Sequence, residues 1–364
     1  MITNEKILEA LQDVEDPEIH RSIVELGMVR NIEIVEGRIS LELVLTIQGC
    51  PLKSTIEKNV RDRLLELGAK EVTVRFGSMT DEERAELAKK LRNENSNTEQ
   101  TDNTSTEANK SPALLSENSR TKFIAVTSGK GGVGKSTVSV NLAISLARMG
   151  KKVGLIDADI YGFSIPDMMG IQGQPTVIDK IILPIERLGV KVMSMGFFVS
   201  DNSPVIWRGP LLGRMLNTFF QEVHWGELDY MILDLPPGTG DMALNVHSTI
   251  PHSKEIIVTT PHPTAAFVAV RAGALALKTD HEILGVVENM AYYECEAGKR
   301  EYIFGKDGGK KLAEELNTEV LIQIPIKAVE INESGEFAPA VYEEGSLNSE
   351  LFHQLAQKII TKFS

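Results

Sequence analysis

The sequence predicts a doubly wound, mostly parallel α/β sheet carrying a phosphate-binding loop, preceded by a small α/β domain. Three observations predict it. Gly129-Lys130-Gly131-Gly132-Val133-Gly134-Lys135-Ser136-Thr137 fits G-x-x-x-x-G-K-[ST] from Gly129 to Ser136. An apolar, β-branched strand pattern at 123–127 precedes it and a helical pattern at 138–147 follows; strand, glycine loop and helix form the context that turns this short motif into a phosphate site. Downstream, strand patterns at 153–156, 190–193, 230–233, 255–259, 283–287 and 319–324 alternate with helical stretches. Several are continuous apolar runs, as strands covered on both faces are.

The small domain spans residues 1–80. Residues 4–12 are helical in pattern, 29–35 and 39–47 read as two strands about the Glu36-Gly37 turn, 51–67 as a helix with Pro51 near its first turn, and 71–76 as a third strand. Residues 81–120 form a charged and polar linker. Its first part, to 95, can extend a helix. Residues 96–119 are rich in Ser, Thr, Asn and Glu and bury too little to offset their ordering entropy. The P-loop domain then runs from 121 to 364, and no internal repeat is evident.

Composition narrows the class. A chain of 364 residues with 42% apolar content suits two domains with ample cores. No run approaches the about 18 apolar residues of a membrane span, and the start lacks the regions of a signal peptide. Two cysteines, Cys50 and Cys295, make no disulfide framework. A reducing cytoplasm and no membrane partner are the expectation. The net charge of −13 disfavours a broad nucleic-acid footprint.

The chemistry follows from residue types at strand ends. The glycines let backbone N–H groups turn toward phosphates. Lys135 reaches the β- and γ-phosphates, and the Ser136 hydroxyl ligates Mg²⁺. Asp157-Ala158-Asp159 follows the second strand, where carboxylates can serve Mg²⁺ and an attacking water. Tyr230-Met231-Ile232-Leu233-Asp234 has the form of a Walker-B strand whose aspartate holds Mg²⁺, and a glycine-rich loop follows to Asp241. Asn289 ends the strand before Met290. His247, His252 and His262 show no metal spacing.

The second loop lysine, Lys130, makes the motif K-G-G-x-G-K-[ST], which resembles the deviant Walker-A ATPases of the MinD, ParA and nitrogenase iron-protein group. Asp157-Ala158-Asp159-Ile160-Tyr161-Gly162, Ile206-Trp207-Arg208-Gly209-Pro210, Asp234-Leu235-Pro236-Pro237-Gly238-Thr239-Gly240-Asp241 and Glu288-Asn289-Met290 together look like an Mrp-type ATPase. Asp16-Pro17-Glu18 and Thr46-Ile47-Gln48-Gly49-Cys50-Pro51-Leu52 resemble the iron–sulfur assembly domain often fused ahead of it. The resemblance implies a P-loop NTPase sheet and Mg²⁺-dependent ATP hydrolysis. It implies a homodimer in which Lys130 crosses to the partner's nucleotide, water orientation by Asp159, magnesium support by Asp157 and adenine reading by Asn289. It also implies a carrier that holds an iron–sulfur cluster and passes it to apoproteins, among assembly partners.

One departure bears on the cluster. The family pattern has C-x-x-C after E-N-M. Here Cys295 matches the first position and Gly298 takes the second. A dimer then supplies two thiolates where a [4Fe–4S] cluster takes four, so a cluster held through Cys295 is labile, completed by Cys50 or left open to other thiols. Cys50 reads equally as a thiol activated at a helix N-terminus or as a small packed turn residue. The alternative function is an ATP-switched regulator of the SalA type that binds a protein or DNA partner without a cluster. A metabolic kinase or ligase is disfavoured by Lys130 and the Pro-Pro-Gly-Thr-Gly-Asp loop.

Overall fold

The computed structural model describes residues 2–46, 52–96, 113–116, 119–159, 162–198, 209–250, 252–295, 298–327 and 338–364. The chain divides into two units, Met1–Asn97 with Thr176–Leu183, and Thr98–Pro175 with Pro184–Ser364. Cys50, Ile160, Tyr161 and residues 206–208 lie outside the described residues.

The first unit opens with α1 (Asn4–Leu11), capped by the Thr3 hydroxyl, which accepts from the Lys6 N–H. Two short strands, β1 (Glu15–Asp16) and β2 (Arg21–Ser22), bracket the Asp-Pro-Glu segment. Asp16 is buried there, and its Oδ1 accepts the N–H groups of Glu18 (2.9 Å) and Ile19 (3.0 Å), a side-chain turn that fixes the segment. β3 (Val29–Val35) and β4 (Arg38–Leu45) form an antiparallel hairpin, and α2 (Lys53–Glu66) crosses to β5 (Glu71–Ser78), which pairs parallel to β4. Ile56, Val60 and Leu64 recur every fourth residue on α2 and are buried with Leu41 and Leu43 of the sheet. α3 (Asp81–Ser96) begins with a capping box, in which the Thr80 hydroxyl accepts from the Glu83 N–H and the Glu83 carboxylate from the Thr80 N–H. That reciprocal pair explains why the charged start of the expected linker is helical.

The second unit holds an eight-stranded sheet among the described residues. Its elements begin with β6 (Lys122–Ser128), α4 (Lys135–Arg148), β7 (Val153–Asp157) and the short α5 (Ile165–Met168). A two-strand hairpin, β8 (Thr176–Ile178) and β9 (Ile181–Leu183), belongs to the first unit. The second unit resumes with β10 (Ile185–Arg187), β11 (Val190–Ser194), α6 (Gly209–Gln221), β12 (Tyr230–Asp234), α7 (Asp241–Thr249), β13 (Lys254–Thr259) and α8 (Pro263–Lys278). β14 (Ile283–Glu288), the small hairpin β15 (Tyr293–Glu294) and β16 (Arg300–Glu301), α9 (Gly308–Glu315), β17 (Val320–Gln323) and α10 (Leu347–Lys362) complete it. The strand order is β10-β11-β7-β12-β6-β13-β14-β17, parallel throughout except for β10 against β11.

The expected doubly wound sheet is therefore present. β7 and β12 are buried at every position, as their unbroken apolar runs require, whereas β4 alternates over its first half. From β6 the chain steps to β7 on one side and later to β13 on the other, so the crevice lies at the carboxyl ends of these strands. Among the described residues no helix is long and apolar enough to cross a membrane.

Candidate nucleotide site

Three neighbouring strands end in the residues that matter. Asp234 at the end of β12 lies in register with Asp157 at the end of β7 and with Val126 of β6, two residues before Ser128, where the loop begins. Parallel pairing thus brings two carboxylates and the glycine loop to one edge.

Lys135 and Ser136 begin α4. Its cap position, Gly134, makes no side-chain bond to the helix, so the first-turn N–H groups have no side-chain acceptor and suit an anion. Asp234 is fully buried and gathers three donors. Its Oδ2 accepts from Lys135 Nζ at 2.7 Å and from Ser136 Oγ at 2.6 Å; its Oδ1 accepts from Ser139 Oγ at 2.6 Å. Lys135 Nζ also lies 4.0 Å from Asp159 Oδ2. Lysine and carboxylate are both inside, at 6% and 0% exposure. Such a pair holds only because each charge has a partner.

Asp157 is turned to the chain itself. Its Oδ1 accepts the Asp159 N–H at 3.2 Å, and its Oδ2 accepts Ser164 N–H (3.1 Å), Ile165 N–H (3.2 Å) and Ser194 Oγ (3.0 Å). Burial, and next the neighbouring Asp234 charge, push its carboxyl up to about 7. Asp159 Oδ1 in turn accepts the Gly162 N–H at 3.2 Å. The described residues Asp159, Ser164 and Ile165 that follow β7 are therefore tied to Asp157.

Asn289 follows β14 and is buried; its Nδ2 donates to the Val133 carbonyl at 2.9 Å. A Cβ on Gly134 would sit 2.0 Å from that Nδ2, so Asn289 and Gly134 fit as one contact. The residue expected to read adenine touches the phosphate loop itself. Gly131, Gly132 and the Lys130 side chain are exposed at the loop crest, while Val133 is buried beneath it and Thr137 is half-buried. The loop after β12 is tied to the site by the Gly238 N–H, which donates to the Ser128 carbonyl at 2.7 Å.

Sequence reasoning missed Ser139, Ser194 and Asn141. Ser139 lies one turn beyond Lys135 on the same face, and a serine amid the buried apolar residues of α4 was the available signal. Asn141 ties α4 to the segment after 338, donating to the Ala340 carbonyl and accepting the Tyr342 N–H. Cys295, half-buried, sits in the β15–β16 turn, where its carbonyl accepts the Gly298 N–H at 2.8 Å. Among the described residues no three His, Cys, Asp or Glu side chains form a metal cluster. His247 is structural: it is buried against Glu255 and hydrogen-bonds Thr279.

The family described as NUBPL iron-transfer P-loop NTPase matches residues 119–360. The chain belongs to this NUBPL-type P-loop NTPase family. A second family, described as iron-sulfur cluster assembly protein, matches residues 4–76, so both halves of the NUBPL-type chain find a relative. It is 51% identical over 371 residues to the iron-sulfur cluster carrier protein of Bacillus subtilis, covering 100% of this chain and 99% of that one. It is 46% identical to the carrier protein of Mycobacterium leprae, covering 87% and 80%. Among solved structures, a nucleotide-binding protein from Archaeoglobus fulgidus in complex with ADP is 38% identical, with a TM-score of 0.50, covering 67% of this chain and 88% of that one.

Proposed function

We propose that this P-loop NTPase binds and hydrolyses ATP with Mg²⁺ and carries iron–sulfur clusters to apoproteins as a cytoplasmic homodimer. The observation that carries the nucleotide half is the convergence of Lys135, Ser136 and Asp234 below a helix N-terminus without a side-chain cap. The carrier half rests on the relatives and on the fused assembly-type domain.

Mg²⁺ fits the donor set: the oxygens of Ser136 and Asp234 already lie 2.6 Å apart, and this ion takes few protein ligands beside phosphate and water. When bound, the ion neutralises charge on the phosphates. The rest falls to the chain. The loop N–H groups and Lys135 bind the phosphates, Ser136 and Asp234 hold the ion's side, and the loop after β7 presents Asp159 to orient a water. Lys130, exposed at the crest, reaches the nucleotide of a second copy.

Lys135→Ala is expected to abolish nucleotide binding or turnover. Asp159→Ala keeps ATP bound and slows hydrolysis, since a water-orienting carboxylate acts in the transition state. Phosphate release and equilibrium binding measured side by side test both; full turnover in Lys135→Ala ends the site assignment.

A regulatory switch without a cluster is the second reading, favoured by one observation, Gly298 in place of a second cysteine. Anaerobic reconstitution with iron and sulfide separates the two. Iron retained by wild type and lost in Cys295→Ser supports the carrier, and no iron in either supports the switch.

A further inference from the structure

We infer that Ser139 is a positioning residue for the metal-binding carboxylate, a third hydroxyl-or-amine donor to Asp234 that the loop motif does not contain. The inference rests on the nucleotide-site reading above.

Each donor to Asp234 has its own task. Lys135 and Ser136 hold Oδ2, and both are residues that the motif commits to phosphate and metal. A Mg²⁺-nucleotide would therefore engage both of them. Ser139 holds Oδ1 at 2.6 Å. It is fully buried on the second turn of α4 and takes neither of those roles, so its bond would persist when a ligand engages the other two. Among the described residues it is the one side chain that donates to Oδ1. Its hydroxyl also lies 3.2 Å from the Lys135 carbonyl, the i−4 acceptor of its own helix, and the shorter contact to an ionised acceptor is the stronger.

The consequence is geometric. A carboxylate at the end of a strand can rotate about χ2, a broad torsion. With Oδ1 pinned by Ser139, Oδ2 stays aimed at Ser136, with which it would hold an ion. Without that bond Asp234 is free to turn, and Oδ1 is left buried without a donor, a penalty that falls on the ionised carboxylate the metal needs. Ser139 thereby sets the Mg²⁺ requirement more than the affinity for the phosphates, which the loop N–H groups and Lys135 supply.

The test uses the full-length chain, a fluorescent ADP analogue and Mg²⁺ titrated from an EDTA baseline, with binding read by anisotropy. In Ser139→Ala the Mg²⁺ concentration for half-maximal enhancement is expected to rise about tenfold, the size expected of a hydrogen bond to a charged group. Affinity in EDTA moves less than about threefold over the same change. Ser139→Thr, which keeps the hydroxyl, restores the requirement toward wild type. Alanine is the strongest helix former, and circular dichroism confirms the fold of each variant. An unchanged Mg²⁺ requirement in Ser139→Ala overturns the proposal, as does an equal loss in EDTA and in Mg²⁺, which marks a merely structural residue. Wild type that fails to bind the analogue at all overturns the nucleotide-site reading and this inference with it, a result distinct from the other two.

Discussion

Asp157 carries a measurable cost of its place at the sheet edge. Its carboxyl is fully buried beside Asp234, and burial raises it to about 7. Between the ordinary carboxylate range and that value the native chain keeps a proton that the unfolded chain has lost. The unfolded state then binds fewer protons, so stability falls as pH rises through this window and levels above it. In nucleotide-free protein, urea unfolding from pH 5 to 8 is expected to show this decline, flattened in Asp157→Asn. Equal slopes in the two proteins would refute the assignment. At this scale the sequence was readable where a motif fixes the spacing: Lys135, Ser136 and Asp234 meet as their patterns imply. It was unreadable where partners come from remote segments. Ser194 bonds Asp157 across 37 residues, and nothing local marks that serine. Asp157, expected to support magnesium, has all its described bonds to the loop and to β11.

Elements follow the same division. The parallel strands were legible because burial on both faces writes an unbroken apolar run, and each was located to within a residue or two. The hairpin β8–β9 was not. Its eight residues lie in sequence amid the P-loop domain, yet Ile178, Ile181 and Leu183 are buried in one cluster with Ile39, Leu41 and Leu43 of the first unit. Thr176 Oγ1 donates to Glu18 Oε1 at 2.9 Å, and burial raises the Glu18 carboxyl. A short apolar stretch states that it is buried but not in which core. The placement makes a test. Ile181→Ala is expected to cost the first unit roughly 2–4 kcal/mol, the usual range for emptying a buried isoleucine site. Val177→Ala, at a side chain 51% exposed, stays within about 0.5 kcal/mol. Hydrogen exchange at β4 amides reads both; β4 protection unmoved by Ile181→Ala would remove the hairpin from that core.

At the scale of the whole molecule, the sequence anticipated two folded parts with a break between them, and it drew that break at 81–120. The first unit extends to Asn97, a capping box turning the charged start of the break into α3, and it includes the hairpin, whose isoleucines share its core. Cys50, which the sequence offered as a cluster ligand, lies outside the described residues. The cluster question therefore turns on Cys295 and on the position three residues beyond it. Residues 295 and 298 share one turn, closed by the Gly298 N–H on the Cys295 carbonyl at 2.8 Å. Among the described residues a Cβ at 298 would meet nothing within 4 Å, and its φ of +72° strains a side chain there by about 1–2 kcal/mol. A homodimer of wild type brings two such thiols, one from each copy. Gly298→Cys brings four, the number a [4Fe–4S] cluster takes. Anaerobic reconstitution of Gly298→Cys is therefore expected to yield about four irons per dimer, with wild type holding less and losing it faster to a chelator. Cys295→Ser placed on Gly298→Cys returns iron to the wild-type level or below. Light scattering with ATP checks that each protein is dimeric, because a monomer would present only half the ligands. If Gly298→Cys dimerises and still binds no more iron than wild type, the β15–β16 turn is not where the cargo sits, and the carrier reading loses its site on this chain.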